Sequence, residues 1–200
     1  MAKKTSPGHG VVDAAERAAT HLDALGVGFA LIGGLAVGAR SEPRFTRDVD
    51  LAISVTDDRA AEHLLLSLTS RGYAIDTVIE QTATGRLATA RLRHRGDPDI
   101  FVDLLFSSSG IEPELVETAE RVAYRRGTEL PVARVGYLIA LKVLSESEER
   151  LQDRIDLRGL AAVATAEDWA TAEAAVRLIR ARGYHRGRAL RKRLRRWRGG

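Results

Sequence analysis

Apolar residues recur along this chain at two spacings, and the spacing predicts which segments are helices and which are strands. Apolar positions three and four residues apart indicate amphipathic helices, whereas short apolar runs bounded by turn residues indicate strands. In the first half, helices are predicted at 11–25, from Gly34 onward and from Thr56 or Asp57 to Arg71. Strands are predicted at 27–32, 48–55, 73–79, 86–95 and 100–106, the last two as a hairpin.

Beyond Gly110 the pattern predicts helices alone, at 112–120, 134–145, 148–164, 167–182 and 186–197. Ser145 and Glu148 have the spacing of a capping box, which predicts that one helix ends and the next begins there. This order of elements predicts an α/β (α+β) fold. A small mixed sheet flanked by helices is expected in residues 1–108, and a C-terminal helical lobe with a basic arm in residues 109–200.

Composition narrows the class of protein. Of the 200 residues, 44% are apolar and none is cysteine, which excludes disulfides and thiolate metal sites. The first ten residues, MAKKTSPGHG, hold no apolar stretch of the kind a secretory signal needs, and no run approaches the roughly 18 apolar residues of a membrane span. We therefore expect a cytoplasmic protein with no membrane partner.

Charge is distributed unevenly along the chain. Residues 177–200 hold eleven of the 31 Arg and Lys residues and none of the 27 Asp and Glu residues, so the rest of the chain is net acidic. A basic end of this kind favours a polyanion such as RNA, although it can also lie solvated or pair with the protein's own acidic face. The candidate RNA-binding residues are Arg188, Arg191, Lys192 and Arg195.

Two aromatic residues near this end have two interpretations. Tyr184 and Trp197 have rings that could stack on bases. Alternatively, they form the apolar side of an amphipathic helix with Leu190 and Leu194.

The segment RFTRDVDLAI, residues 44–53, places two carboxylates at the start of a predicted strand. Because alternate strand residues share a face, Asp48 and Asp50 point the same way, about 7 Å apart along the backbone. Two such carboxylates can close on one hard cation, and without it their repulsion would raise a pKa. The alternative is that both lie at a strand start and face water.

Two further features support a ligand site. The pair Gly33-Gly34 ends one predicted strand and begins a helix, so its backbone N–H groups can bind phosphate; alternatively it is a simple turn. Asp103 interrupts an otherwise apolar strand, where an unpaired carboxylate would be costly to bury; alternatively it faces water at a strand edge. Asp97 and Asp99 are better explained by turn chemistry.

Together, these residues carry a family resemblance. Gly33-Gly34, then Arg44-x-Thr46-x-Asp48-x-Asp50 and a later Asp103, resemble the nucleotidyltransferase fold of the polymerase-beta type. The R-x-T-x-D-x-D form is similar to the AbiEii-type nucleotidyltransferase toxins of bacterial type IV toxin–antitoxin systems. Those toxins also carry a downstream lysine and an acid pair, which Lys142, Asp153 and Asp156 match. One departure is Gly34, where many members have serine.

The resemblance implies phosphoryl transfer with Mg²⁺ held by Asp48, Asp50 and Asp103. It further implies nucleotide binding by Gly33, Gly34, Arg44, Thr46, Lys142 and Asp153. Strand alternation favours Arg44 over Arg47 as the phosphate contact. Other interpretations stay open: Lys142 as an exposed helix residue, and Asp153 and Asp156 paired on the surface with Arg150 and Arg154.

Three functions are consistent with these residues. The first is a growth-inhibiting toxin that transfers NMP from an NTP to an RNA acceptor, the tRNA 3′ end being implied by the resemblance, with an antitoxin protein as its partner. The second is a nucleotidyltransferase that modifies an antibiotic or a protein hydroxyl. The third is an RNA-binding module with a degenerate active site, against which the presence of all three carboxylates argues.

Overall fold

The computed structural model describes residues 7–82, 84–125, 127–147 and 149–199. In chain order the elements are α1 (Pro7–Ala24), β1 (Gly28–Ile32), α2 (Gly33–Arg40), β2 (Asp48–Ser54), α3 (Asp58–Thr69), β3 (Tyr73–Glu80), β4 (Leu87–His94), β5 (Asp97–Leu105), α4 (Glu112–Glu117), β6 (Glu120–Arg125), β7 (Thr128–Val132), α5 (Val135–Ser145), α6 (Leu151–Val163), α7 (Ala166–Ala181) and α8 (Leu190–Arg198). None of the helices in the described part of the chain combines the length and apolar character needed to cross a membrane.

The strands form one mixed sheet of seven strands in the order β3-β4-β5-β2-β1-β7-β6. The pairs β2–β5 and β1–β7 are parallel, and the other pairs are antiparallel. Strands β1 and β2 lie at the centre and are largely buried, whereas the edge strand β3 is exposed after its first residue. The predicted mixed α/β fold is confirmed.

The helical part of the chain meets the sheet through α5, an apolar helix with six buried residues. It packs against α6, α7 and α8, and also against α2, which follows directly from β1. Helix α2 begins at Gly33, directly after the end of β1. Because α5 packs against α2, α5 lies close to the same end of the central strands. The packing therefore places residues of the helical part beside those of β1 and β2.

The hairpin β6–β7 was not predicted from the sequence. Its first strand has no buried residue, and its second contains Pro131, so its local pattern is a weak strand signal. The hairpin forms because β7 pairs in parallel with β1, Leu31 lying opposite Val132. The sheet therefore extends to Val132 and the run of helices begins at Val135, while the division at residue 108 stays a prediction.

Two helix starts also differ from expectation. Helix α6 begins at Leu151, with Arg150 as an N-cap that makes no side-chain bond; Glu148 lies outside the described residues. Helix α8 begins at Leu190 rather than at 186, because Arg186 and Gly187 both have positive φ and interrupt the helix. A capping box does occur, at the start of α7, between Thr165 and Asp168.

Candidate active site

The three predicted carboxylates lie on neighbouring central strands. Asp48 and Asp50 occupy alternate positions of β2, so they share a face. Asp103 of β5 is the register partner of Asp50, and neighbouring strands run about 4.8 Å apart. All three line one cleft of about 1210 Å³, together with Gly33 and Gly34. Tertiary structure thus brings the acids of two separate segments to the glycine turn.

The surroundings of Asp50 change the pKa of its carboxyl group. Burial in the first place, and then the negative charges of Asp103 and Asp48, raise the pKa of Asp50 to about 6. The Lys142 ammonium and the backbone N–H of Gly34 act in the opposite direction without cancelling the increase. A cation bound beside Asp50 would remove this repulsion.

Asp103 has a partner that sequence reasoning missed. Arg91, its register partner on β4, donates from Nε to Oδ1 at 2.8 Å and from Nη2 to Oδ2 at 2.7 Å. The same guanidinium lies 4.7 Å from the ring centroid of Phe101. The interpretation of Asp103 as a water-facing edge residue is wrong, because it is 9% exposed on a strand paired on both sides. In the sequence, only the predicted hairpin of β4 and β5 could have indicated Arg91, because the hairpin register decides which β4 residue faces Asp103.

The donors of this cluster suit a hard divalent cation. Asp48, Asp50 and Asp103 offer carboxylate oxygens, the ligands that Mg²⁺ prefers. Burial, and then the charges of Asp103 and Asp48, raise the pKa of Asp50, and a bound cation would counteract both effects. Within the described ranges, however, no three His, Cys, Asp or Glu side chains are grouped as a ready metal site. The three-carboxylate site is therefore not preformed; both oxygens of Asp103 are engaged by Arg91, which leaves Asp48 and Asp50 as the more available pair.

The glycine turn is shaped around these residues. Gly33 has φ +61°, and a Cβ there would lie 1.9 Å from Oδ2 of Asp50. A Cβ on Gly34 would lie 2.7 Å from Oγ1 of Thr46 and 2.8 Å from Nη2 of Arg44. Helix α2 begins at Gly33 without a side-chain cap. A serine at 34, the residue of many family members, would therefore require the side chains of Arg44 and Thr46 to shift.

A buried ion-pair network forms the opposite side of the site. Lys142 Nζ lies 2.7 Å from Oδ1 of Asp153 and 2.7 Å from Oδ2 of Asp156. Arg44 reaches the same Asp156, its Nε 2.9 Å from Oδ1 and its Nη2 donating to Oδ2 at 3.1 Å. Burial raises the pKa of Asp156, but hydrogen bonds from Lys142 and Gln152 and the two cations outweigh burial and lower it overall.

This network corrects two interpretations. Lys142 is not an exposed helix residue, because its side chain is only 13% exposed. Asp153 and Asp156 are not a surface pair: both are buried, and only Arg150 reaches Asp153, at 3.5 Å, beside Lys142. Lys142 and Asp153 line the cleft with Arg44 and Thr46, while their role in nucleotide binding stays a prediction.

Two arginines of the cleft were not singled out from the sequence. Arg150 and Arg186 both line it, and Arg186 donates from Nη2 to the backbone oxygen of Ser108 at 3.0 Å. Arg186 has φ +52°, a conformation rare for a residue with a side chain, next to Gly187. Burial first, and then the charges of Arg188 and Arg150, lower the pKa of Arg186. The sequence feature that could have indicated Arg186 is the segment 183–187, which has a glycine at each end.

The four candidate RNA-binding residues differ in their surroundings. Arg188 is half-buried and donates to backbone oxygens of Leu144 and Glu146, so it is not a free surface cation. Arg191, Lys192 and Arg195 are exposed and have no side-chain partner among the described residues. Their predicted role toward RNA stays a prediction.

The aromatic residues pack rather than extend into solvent. Tyr184 is 7% exposed and its hydroxyl lies 2.5 Å from Oγ of Ser107, although its edge also lines the cleft. Trp197 is half-buried, and Leu190 and Leu194 are buried beside it. The amphipathic-helix interpretation is therefore the one that the packing supports.

Comparison with known structures identifies the fold. An antigenic nucleotidyltransferase-like protein from Paracoccidioides brasiliensis has a similar fold, with a TM-score of 0.54 and 19% identity over 94% of this chain and 93% of that chain. The enzyme ANT(2")-Ia, solved in complex with adenylyl-2"-tobramycin, has a TM-score of 0.52 and 15% identity over 86% of this chain and 97% of that chain. The fold is that of the nucleotidyltransferases.

The sequence specifies the family more closely. The model of the nucleotidyl transferase AbiEii toxin family, of type IV toxin–antitoxin systems, matches residues 18–198. The chain therefore belongs to the AbiEii nucleotidyltransferase toxin family, and it is an enzyme that transfers nucleotidyl groups. No curated protein matches this chain.

Proposed function

We propose that this enzyme transfers a nucleoside monophosphate from an NTP to the 3′ hydroxyl of an RNA, with tRNA as the expected acceptor, and that it acts as a toxin restrained by an antitoxin protein. The observation that carries the proposal is the arrangement of one cleft. Asp48 and Asp50 lie beside the Gly33-Gly34 turn, and Lys142 lines the same cleft. Acids for a metal, amides for phosphate and a buried cation are the components that nucleotidyl transfer requires.

Asp48 and Asp50 are the residues that would hold Mg²⁺, with Asp103 beside them. When bound, Mg²⁺ neutralises charge on the triphosphate and lowers the pKa of the attacking hydroxyl. The hydroxyl oxygen forms a bond to the alpha phosphorus, the bond to the bridging oxygen breaks, and pyrophosphate leaves while the hydroxyl proton passes to solvent. The protein contributes mainly position and charge, since this transfer needs little covalent help.

The remaining cleft residues have separate tasks. The open N-terminus of α2 offers backbone N–H groups to the beta and gamma phosphates. Lys142 and Arg44 supply positive charge for the same phosphates, and Asp156 orients both of them through its two oxygens. Thr46 lies against this corner, its Oγ1 donating weakly to the backbone oxygen of Asp48 at 3.4 Å.

Two observations support RNA as the acceptor. The family is one of toxins, and the exposed cations Arg191, Lys192 and Arg195 carry no counter-charge among the residues that the structure describes. Each phosphate contact from such residues adds a salt-dependent share of affinity. A small-molecule acceptor is the second candidate, because an enzyme of the same fold was solved with an adenylylated antibiotic.

The deciding experiment incubates the protein with Mg²⁺, total tRNA and each labelled NTP in turn, beside the Asp48→Ala variant. We expect label from one NTP to enter tRNA with the native protein only. No incorporation from any of the four NTPs would overturn the proposal. Pyrophosphate release without RNA would favour the small-molecule acceptor, and RNA binding unchanged by Asp48→Ala without any pyrophosphate would favour a binding module.

A further inference from the structure

The buried carboxylate of Glu146, which lies outside the cleft, connects the basic C-terminal helix α8 to the end of α5, the helix that carries Lys142. Glu146 follows the last residue of α5 and is 4% exposed. Its Oε1 accepts from Nη2 of Arg196 at 2.9 Å, and its Oε2 accepts from Nε1 of Trp197 at 3.3 Å. Its backbone oxygen accepts from Nη1 of Arg193 at 2.6 Å and Nη1 of Arg188 at 3.1 Å.

The placement of these donors has an electrostatic cause. The last carbonyls of α5 have no partners within the helix and carry the negative end of its dipole. Arg188 and Arg193 satisfy these oxygens, and Arg196 compensates the buried charge of Glu146. The Glu146 carboxylate is buried although Arg196 is largely exposed, so removing its donors would leave a buried charge without a partner, which is costly.

The contact lies one helical turn from the proposed nucleotide site. The backbone N–H of Glu146 donates to the backbone oxygen of Lys142 at 2.8 Å. Within a few residues the chain then supplies Arg150 and Asp153 to the cleft, and the start of α6 has no side-chain cap of its own. Glu146 therefore connects the end of the cleft-lining helix α5 to α8.

We propose that Glu146 is a positioning residue for nucleotide binding. By tying α8 to the end of α5, it holds Lys142 where it meets the phosphates of an NTP. This inference rests on the proposed function for the identity of the ligand. These contacts also give α8 a structural role, so that deleting α8 would disturb the nucleotide site as well as any RNA contact.

The test measures binding of each of the four NTPs with Mg²⁺, without any acceptor. Glu146→Gln retains the shape of the side chain and removes its charge, and we expect the Kd of the nucleotide to rise about tenfold. Trp197→Phe removes one donor only and should give a smaller increase. The matched control is Glu173→Gln, which breaks the exposed pair between Glu173 of α7 and Arg198 of α8 and should leave the Kd within about twofold.

A double-mutant cycle with Lys142→Met separates positioning from general loss of stability. If Glu146 acts through Lys142, Glu146→Gln adds little to the loss caused by Lys142→Met, whereas independent effects multiply. Circular dichroism and thermal unfolding establish that each variant is folded at the assay temperature. If Glu146→Gln does not fold, Arg196→Gln, which leaves the carboxylate with Nε1 of Trp197 as its donor, takes its place.

An unchanged Kd in the folded Glu146→Gln protein, or full multiplication of the two effects, would overturn this inference. The proposed acceptor is tested separately. Native protein that binds NTP but never labels RNA would refute RNA transfer and leave the role of Glu146 standing. Native protein that binds no NTP would refute both.

Discussion

Asp50 of β2 and Asp103 of β5 are direct partners in the parallel register of two central strands. Their proximity gives the site its character, because the backbone holds the half-buried carboxylate of Asp50 beside the buried carboxylate of Asp103. Arg91 compensates one of them, and the other retains a raised pKa. The fold thus stores electrostatic repulsion at the place where the proposed reaction requires a cation.

Asp50→Asn should abolish transfer and stabilise the metal-free protein at pH 8. The folded pKa of Asp50, about 6, lies above its ordinary value of 3.8, so the folded state holds an extra proton between these values. The stability contributed by this group therefore falls as the pH rises through that window. We expect a gain in unfolding free energy on the order of 2 kcal/mol at pH 8, measured by urea denaturation with a chelator.

The gain should shrink toward pH 4, where Asp50 is protonated in the native protein. Asp58→Asn is the control, because Asp58 forms a half-exposed pair with Arg86 at 3.1 Å and should change stability little. Equal gains at pH 4 and pH 8 would show that the charged form of Asp50 is not the cause.

Two glycines of α2 should respond oppositely to alanine. Gly33→Ala places a Cβ 1.9 Å from Oδ2 of Asp50 at a positive φ, so we expect loss of activity and a lower melting temperature. Gly38→Ala meets nothing closer than 3.5 Å and should be neutral or stabilising by up to about 1 kcal/mol. Thermal unfolding and the tRNA-labelling assay measure both, and a Gly33→Ala protein as stable and active as the native one would contradict the geometry.

His21 should make the protein less stable in mild acid. Burial, followed by the charges of His94, Arg71 and Arg17, lowers the pKa of His21 below 6.5. The unfolded state then takes up a proton before the folded state does, so the stability from this group is present above pH 6.5 and is lost as the pH falls.

His21→Gln should flatten the decline in unfolding free energy between pH 7 and pH 5, measured by urea denaturation. His63, an exposed residue of α3, provides the control His63→Gln, which should retain the native slope. A native slope in His21→Gln would assign the acid sensitivity to other groups.

The exposed cations of α8 should govern the salt dependence of RNA binding. We expect the combined change of Arg191, Lys192 and Arg195 to alanine to weaken tRNA binding and to reduce the slope of log Kd against log salt by about 0.7 to 0.9 for each phosphate that is no longer neutralised. The affinity for NTP should stay unchanged, since none of the three lines the cleft. Arg177→Ala, on the neighbouring helix α7, tests whether the contact surface extends across the groove that these helices share.

An unchanged salt slope in the triple variant would exclude this surface as the RNA contact. Arg188→Ala is an informative contrast, because Arg188 donates to the end of α5. It should lower the melting temperature, whereas the three exposed substitutions should not.

The sequence by itself determined the parts of the site that depend on neighbouring residues. The two-residue period of a strand placed Asp48 and Asp50 on one face, and the glycine pair marked a strand end opening into a helix. Apolar spacing also located most helices and strands to within a few residues, because each local pattern has one face that must be buried. These features need no knowledge of distant partners.

Tertiary structure alone decided which distant groups meet. Arg91 faces Asp103 because of strand register, Lys142 and Arg44 share Asp156 because α6 packs near the glycine turn, and the β6–β7 hairpin forms because β1 offers it an edge. Arg188 was among the candidate RNA-binding residues, yet it and Arg193, Arg196 and Trp197 all donate to Glu146. Which partner a charge takes depends on burial and on long-range pairing, and no local pattern along the chain encodes either.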